Sequence, residues 1–280
     1  MSGTRELGTL DPFRTVASWD GATAANWAAA LDQRAAGEDQ VRLRTTMREL
    51  AALRPGDHAV ELGCGTGALL AELARAVGSA GRVLGVEPQP TFAEAARRCA
   101  AEVPDGAGVT VHTGSAEHIP AGDATVDACL AQTVLIHLPD PLLHGTLADT
   151  RRVLRPGGRF VTADQDGDTW VVDHPDRETT RRIATFNSDQ RYADGWTGRR
   201  TARLLGEAGY RDISVRVLTH LDTTADSYLF GMSTRLARAA EEAGALDPGR
   251  GEEWVSALEQ RARAGSFLSS ITYFVSVGTR

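Results

Sequence analysis

The 280-residue sequence contains no lysine, so all 30 of its basic residues are arginines. Its 37 acidic residues give a formal net charge of −7. A mildly acidic chain argues against nucleic acid as the main partner, because a phosphate-binding surface needs a basic patch. Local arginine pairs, such as Arg199 with Arg200, are interpreted as solvated helix faces.

Cysteine is also scarce, with only Cys64, Cys99 and Cys129. Their odd number and scattered positions fit neither a disulfide framework nor zinc-ligand spacing, so we expect reduced, buried thiols. No apolar run reaches the length of about 18 residues that indicates a membrane-spanning helix. The first residues lack the apolar stretch of a signal peptide. These absences predict a cytoplasmic protein with no membrane partner.

Strand-like and helix-like patterns alternate from residue 58 to residue 166. The strand-like runs cover residues 58–62, 81–87, 108–114, 124–132 and 158–166. Helix-like patterns lie between them at 67–77, 91–103 and 140–154. This alternation predicts a parallel sheet with helices on both faces. Right-handed crossovers bring the loops that follow the strands to one edge, where ligands bind.

Two later strand patterns, 212–221 and 266–278, complete a predicted sheet of seven strands. The predicted fold class is α/β, a doubly wound, mostly parallel, Rossmann-like sheet with a helical cap. We expect the following parts: an N-terminal helical cap (1–54), a core (55–166), a cap insertion (167–197), and a C-terminal part of the core (198–280) with a helical insertion at about 224–264.

The stretch AVELGCGTGALL at residues 59–70 joins the first strand to a helix and contains Gly63, Gly65 and Gly67. Clustered glycines let a ligand approach the backbone, and a helix N-terminus attracts negative groups. A dinucleotide fingerprint needs a third glycine where this chain has Ala68, and a P-loop needs a lysine. Glu61, just before the turn, would repel a pyrophosphate but suits an ammonium group.

Five stretches occur in the order and spacing of the class I S-adenosylmethionine-dependent methyltransferases. They are VELGCGTG, VLGVEP, GSAEHIP, DACLAQTVLIHLPDP and VLRPGGRF, within about residues 40–165. The chain most resembles the branch of ubiquinone/menaquinone-type C-methyltransferases and small-molecule methyltransferases. The resemblance implies S-adenosylmethionine as cofactor. It also implies a set of cofactor-binding residues: Glu61, Gly63, Cys64, Gly65, Gly67, Glu87, Pro88, Ser115, Ala116, Glu117, Gln132, Thr133 and His137.

Within this set, the resemblance gives each position a part of the cofactor. The glycine loop and Glu61 hold the methionine portion, and Glu87, at the end of the second strand, accepts the ribose hydroxyls. Pro88 and residues 115–117 surround the adenine, while residues 132–133 border the reactive end. Ser115 departs from the family, which often has an aspartate at this position.

Two side chains near the ligand edge, His137 and Asp164, are candidate catalytic bases. For His137 the alternative is loop anchoring, and for Asp164 it is a hydrogen-bond acceptor at a strand end. The stretch DQDGDTW begins like a calcium loop but has its glycine two positions too early, so no metal site is predicted. NSDQRYADGW (187–196) is a candidate lining of the substrate pocket, with a plain solvated loop as the alternative.

The sequence therefore predicts a methyltransferase that acts on a small-molecule substrate under a helical cap. A role in specialised metabolism follows only by analogy with chains of this composition. Three alternatives stay open: a non-methylating reaction such as cyclisation on the same fold, a binding or regulatory module, and an NAD-dependent oxidoreductase. Methylation at carbon, nitrogen or oxygen is not distinguished. The oligomeric state is also open, with a homodimer as one alternative.

Replacing Glu87 by alanine is expected to weaken cofactor binding by about 1.5–3 kcal/mol, the range for hydrogen bonds to a charged group. Calorimetric titration of the wild type and the Glu87→Ala variant with S-adenosylmethionine measures this difference. Unchanged affinity would place the ribose elsewhere.

Overall fold

The computed structural model describes residues 10–103 and 108–280, which form one eight-stranded sheet with helices on both faces. The strands are β1 (His58–Leu62), β2 (Arg82–Glu87), β3 (Gly108–Thr113), β4 (Val126–Gln132), β5 (Leu154–Gln165), β6 (Val171–Val172), β7 (Arg211–Asp222) and β8 (Ser269–Thr279). Their spatial order is β3–β2–β1–β4–β5–β8, and β6 and β7 both pair with β8. The first five strands are parallel, and the pairs that involve β8 are antiparallel.

The predicted doubly wound α/β class is confirmed, but the strand number is eight rather than seven. The additional strand, β6, has only two residues and pairs with Ser269 and Ser270 of β8. A two-residue strand is too short to show an alternating pattern, so the sequence does not predict it.

The helices are α1 (Gly21–Ala36), α2 (Glu38–Ala51), α3 (Ala68–Val77), α4 (Pro90–Ala101), α5 (Asp140–Val153), α6 (Arg177–Phe186), α7 (Thr197–Glu207), α8 (Tyr228–Glu242) and α9 (Arg250–Arg263). A 3₁₀ segment, Pro12–Ser18, precedes α1, and a π turn, Asn187–Arg191, follows α6. No helix in the described ranges is long and apolar enough to cross a membrane. The predicted domain boundaries stay predictions.

The central strands are apolar on both faces, as a covered parallel sheet requires. Along β4, Leu130 packs in one core cluster with helices α2 to α4, while its neighbour Cys129 packs in the other with α5 and α7. Burying a leucine of this kind contributes about 1.5–3 kcal/mol. Of the three free thiols, Cys64 and Cys129 are buried, whereas Cys99 is only half-buried, contrary to expectation. Burial raises the pKa of the Cys129 thiol.

The segment before α1 packs on the sheet edge through a small aromatic cluster. Val16 and Phe92 are buried there, and the rings of Trp19 and Trp27 stack with centroids 5.6 Å apart. Phe92 belongs to α4, so this cluster fastens the start of the described chain to the helix that follows β2. The cluster therefore brings residues 11–19 next to the carboxyl ends of the strands.

Gly67 begins α3 with φ +97°, and a Cβ on this residue would lie 2.8 Å from the Cα of Ala96 in α4. The backbone conformation disfavours a side chain, and the close approach of the two helices leaves no room for one. Gly67 thus sets how closely α3 packs against α4.

We expect Gly67→Ala to lower the free energy of unfolding by about 2–4 kcal/mol, the sum of left-handed strain and overpacking. Gly56 is a matched control, because its φ is +94° and a Cβ on it would have no neighbour within 4 Å. Gly56→Ala should therefore cost only the strain, about 1–2 kcal/mol. Urea unfolding measures both, and equal losses would contradict the packing role of Gly67.

Candidate active site

A cavity of about 540 Å³ opens at the carboxyl ends of the parallel strands. Nine of the predicted cofactor-binding residues line it: Gly63, Gly65, Glu87, Pro88, Ser115, Ala116, Gln132, Thr133 and His137. A second cavity of about 80 Å³ shares Gly63, Gly65 and Gln132 with the first and is also lined by Glu61 and Cys64. The topology therefore gathers residues from four separate strand ends around one space.

Three predicted site residues line neither cavity: Gly67, Glu117 and Asp164. Gly67 faces α4, as described above, and the half-buried Glu117 carboxylate lies 3.6 Å from Nδ1 of His118. Gly67 and Glu117 were placed at the cofactor by the family resemblance, and Asp164 was a candidate catalytic base. Neighbouring residues in a turn or loop point in different directions, so adjacency alone does not bring a side chain to the cavity.

Asp164 is fully buried at the end of β5 and acts as a hydrogen-bond acceptor. Its carboxylate accepts the hydroxyl of Thr162 at 2.8 Å and the backbone N–H of Ile136 at 3.2 Å. Burial raises the pKa of this carboxyl group. Ile136 directly precedes His137, so Asp164 holds the loop that carries His137 and does not itself reach the cavity.

The glycine loop brings bare backbone to the junction of the two cavities. Gly63 has φ +58°, and a Cβ there would lie 2.7 Å from Cγ2 of Val134. Gly65 has φ +51°, and its backbone N–H donates to Oε2 of Glu87 at 2.9 Å. The left-handed conformation favours glycine at both positions, and at Gly63 the close contact with Val134 also leaves no room for a side chain. The loop therefore exposes peptide groups where a ligand can approach closely.

Glu87 is 4% exposed, and each of its carboxylate oxygens accepts one backbone N–H. The donors are Gly65 and, to Oε1 at 2.9 Å, Gln89. Burial raises the pKa of Glu87 to about 7, although both backbone donors favour the ionised form. Each oxygen retains a lone pair for a further donor, so the carboxylate can accept the two hydroxyls of a ribose.

Glu61 is buried beside the glycine loop, and its Oε2 has no hydrogen-bond partner among the residues that the structure describes. Burial raises its pKa well above the usual value, the negative charge of Glu87 adds to this, and Arg44 opposes it. An orphaned buried carboxylate is costly unless a donor or cation reaches it. The residues present thus fit the ammonium group of a methionine-like ligand.

His137 is fixed by contacts that the sequence did not reveal. Its Nδ1 lies 2.6 Å from Oδ2 of Asp11, whose other oxygen accepts the backbone N–H of Phe13 as the cap of the 3₁₀ segment. The imidazole packs between the rings of Phe13 and Tyr192, with centroid distances of 4.9 and 5.5 Å. His137 therefore anchors the segment that begins at residue 11, and it also lines the larger cavity.

The remaining wall of the cavity comes from segments whose sequence signals are weak. Arg191 and Tyr192 line it, so part of the stretch 187–196 reaches the cavity, whereas Trp196 is 45% exposed and does not. Residues that sequence reasoning missed are Phe13, Arg34, Met232 and Arg235. For the three residues on α1 and α8, the sequence signal is the amphipathic pattern of the helix, which indicates that one of its faces is covered.

Comparison with known proteins agrees with the fold. Residues 59–158 match the family described as a methyltransferase domain. An uncharacterized 37.1 kDa protein of transposon TN4556 in Streptomyces fradiae is 34% identical over 249 residues, 88% of this chain and 69% of that protein. A demethylmenaquinone methyltransferase of Symbiobacterium thermophilum is 35% identical over 108 residues, 39% of this chain and 42% of its own length.

Among solved structures, the YcgJ protein from Bacillus subtilis has a TM-score of 0.57 and 16% identity, with 85% of this chain and 97% of that chain covered. This likeness concerns the fold. The family match and the motif order identify residues 59–158 as a methyltransferase domain of the class I S-adenosylmethionine-dependent type, whose cofactor is S-adenosylmethionine. The resemblance drawn from the five stretches is thus confirmed.

The raised pKa of Glu87 predicts how the stability of the ligand-free protein depends on pH. The folded-state pKa of about 7 exceeds the ordinary value of 4.5, so protonated Glu87 favours the folded protein. Its contribution to the free energy of unfolding is fully present below pH 4.5 and is lost as the pH rises through 7. Glu87→Gln should remove this loss, which amounts to about 3 kcal/mol at most. Urea unfolding at pH 5 and pH 8 measures it, and equal pH dependence in both proteins would contradict the assignment.

Proposed function

We propose that the protein transfers the methyl group of S-adenosylmethionine to a small molecule held in the larger cavity. The observation that carries this proposal is the buried, unpartnered carboxylate of Glu61 beside the bare backbone of Gly63 and Gly65. With Glu87 close by, the strand edge holds two buried acids, an arrangement that favours a ligand carrying positive charge.

The cavity that each residue lines determines its proposed role. Glu61 binds the ammonium group of the cofactor, and Arg34, which borders both cavities, binds its carboxylate. Glu87 accepts the ribose hydroxyls. The other proposed cofactor contacts are Gly63, Cys64, Gly65, Pro88, Ser115, Ala116, Gln132 and Thr133. Gly67, Glu117 and Asp164 are left out of this set, since neither cavity includes them.

When bound, the cofactor supplies an electrophilic methyl group on a positively charged sulfur. The protein's own contribution is alignment and the exclusion of water. Phe13, Trp27, Leu31 and Met232 line the larger cavity and give it an apolar wall. The contact between His137 and Asp11 keeps the 3₁₀ segment against this wall, so the segment shields the reacting groups from solvent.

His137 is the proposed base for an acceptor that must lose a proton. Its Nδ1 is engaged by Asp11, which orients the ring toward its task of taking a proton. Acceptors without a proton to lose need no base, and for them His137 only anchors the loop.

A place in specialised metabolism and a cytoplasmic location are further parts of this proposal, and they rest on composition and analogy. The alternatives of cyclisation or a pure binding role use the same cofactor site and have no separate observation in their favour. An oxidoreductase lacks support at Ala68, the position of the third dinucleotide glycine.

Glu61→Gln is expected to weaken binding of S-adenosylhomocysteine by about 1.5–3 kcal/mol, because the variant loses a charged hydrogen bond to the ammonium group. Glu117→Gln is the matched control: it neutralises an acid outside both cavities and should leave the affinity unchanged. Calorimetric titration compares both variants with the wild type. A wild type that releases no heat at millimolar ligand would contradict the cofactor site itself.

Methyl transfer is tested by incubating the enzyme with S-adenosylmethionine and a panel of phenols, amines and activated carbon acids. Formation of S-adenosylhomocysteine that depends on an acceptor supports the proposal. An acceptor that is converted without S-adenosylhomocysteine would instead favour a non-methylating reaction.

A further inference from the structure

Three guanidinium groups line the larger cavity without forming an ion pair to any carboxylate in residues 10–103 and 108–280: Arg34, Arg191 and Arg235. Elsewhere in the structure, a buried arginine is paired: Arg44 donates to Glu72 at 2.7 Å. The larger cavity therefore contains three guanidinium groups that have no ion-pair partner in the described part of the chain.

Arg191 is deeply buried, with 8% of its surface exposed. It ends the π turn Asn187–Arg191, and its Nε has no hydrogen-bond partner in the described residues. Its guanidinium lies over the ring of Tyr192, 5.6 Å from the centroid. Burying an unpaired charge is costly, so an anionic ligand at this position would relieve that cost.

Arg235 extends from α8 toward the same region. Its guanidinium lies 5.5 Å from the centroid of the Trp27 ring. Burial lowers the pKa of Arg235, the hydroxyls of Tyr228 and Tyr192 oppose this, and the like charge of Arg191 adds to the lowering. Arg191 and Arg235 both line the larger cavity, so one anionic group bound there could pair with both guanidinium groups.

This pair is separate from the proposed cofactor contacts. Arg34 borders the smaller cavity beside Glu61 and donates to the hydroxyl of Thr133 at 2.5 Å, whereas Arg191 and Arg235 border only the larger cavity. Around the pair stand the rings of Tyr192 and Tyr228 and other apolar groups. The surroundings therefore suit a molecule with one anionic group on an apolar body.

We propose that the methyl acceptor is an organic anion, whose carboxylate or phosphate group is bound jointly by Arg191 and Arg235 while its apolar body lies against the aromatic wall. This inference rests on the proposed methyl-transfer function and adds the chemical class of the substrate. Guanidinium groups match both oxyanions, because their forked N–H donors pair with two oxygens at once.

Calorimetry on the protein saturated with S-adenosylhomocysteine tests the inference with matched probes. The probes are benzoate against benzamide, indole-3-acetate against indole-3-acetamide, and phenyl phosphate against phenol. We expect each anion to bind at least tenfold more tightly than its neutral counterpart. The relative affinities of the carboxylates and phenyl phosphate then identify the anionic group. Equal or tighter binding of the neutral probes, or no binding of any anion, would overturn the inference.

Arg235→Gln and Arg191→Gln should each weaken anion binding at least tenfold and leave the affinity for S-adenosylhomocysteine within twofold. Arg238→Gln, on the same helix as Arg235, is the control, since Arg238 is paired with Glu252 at 2.6 Å outside the cavity. Arg235→Lys keeps the charge and should restore part of the anion affinity.

The outcomes separate this inference from the proposed function. If the wild type does not bind S-adenosylhomocysteine, the proposed function fails. If it binds S-adenosylhomocysteine but shows no preference for anions, only the substrate class fails. If the arginine variants lose S-adenosylhomocysteine instead of the anions, the pair belongs to the cofactor and the inference is overturned. The comparison of anionic with neutral probes uses the wild-type protein, so it tests the inference even if a variant does not fold.

Discussion

The buried carboxylate of Glu87 links the parts of the molecule that make up the site. It accepts the backbone N–H groups of Gly65 and Gln89, which joins the glycine loop to the end of β2. The side chain of Gln89 in turn donates to the backbone oxygen of Val16 at 2.8 Å, which joins β2 to the 3₁₀ segment. This one carboxylate thus connects the glycine loop, the end of β2 and the 3₁₀ segment, and its burial raises its pKa to about 7.

Charge is divided across the larger cavity. The carboxylate of Glu87 stands at the strand edge, and guanidinium groups come from the 3₁₀ segment, α1, α8 and the π turn. Since the chain contains no lysine, every basic group of this kind is a guanidinium, which keeps its proton at any physiological pH. The acidic side responds to pH through Glu87, whereas the basic side does not. A change of pH therefore alters the charge of this cavity on its acidic side.

The sheet and the residues at its edge could be predicted because their signals are local. Strand β1 and the turn after it are encoded in one short stretch, and parallel strands must end at the same edge. Asp11, Arg34 and Arg235 could not be predicted, because tertiary packing alone decides which face of a helix or turn meets the cavity. For the same reason, the sequence does not show whether Asp164, at the end of a strand, faces the cavity or the interior. Its hydrogen bonds to Thr162 and Ile136 show that it faces the interior.

The contact between Asp11 and His137 joins positions 126 residues apart, and the contact between Val16 and Gln89 joins positions 73 apart. During synthesis, the segment around Asp11 leaves the ribosome long before the strand that precedes His137. Its docking must wait until β1, β2 and β4 have paired, because these strands position both partners. Closure of such distant loops is slow in folding. We therefore expect the cavity to assemble after the sheet on which it stands.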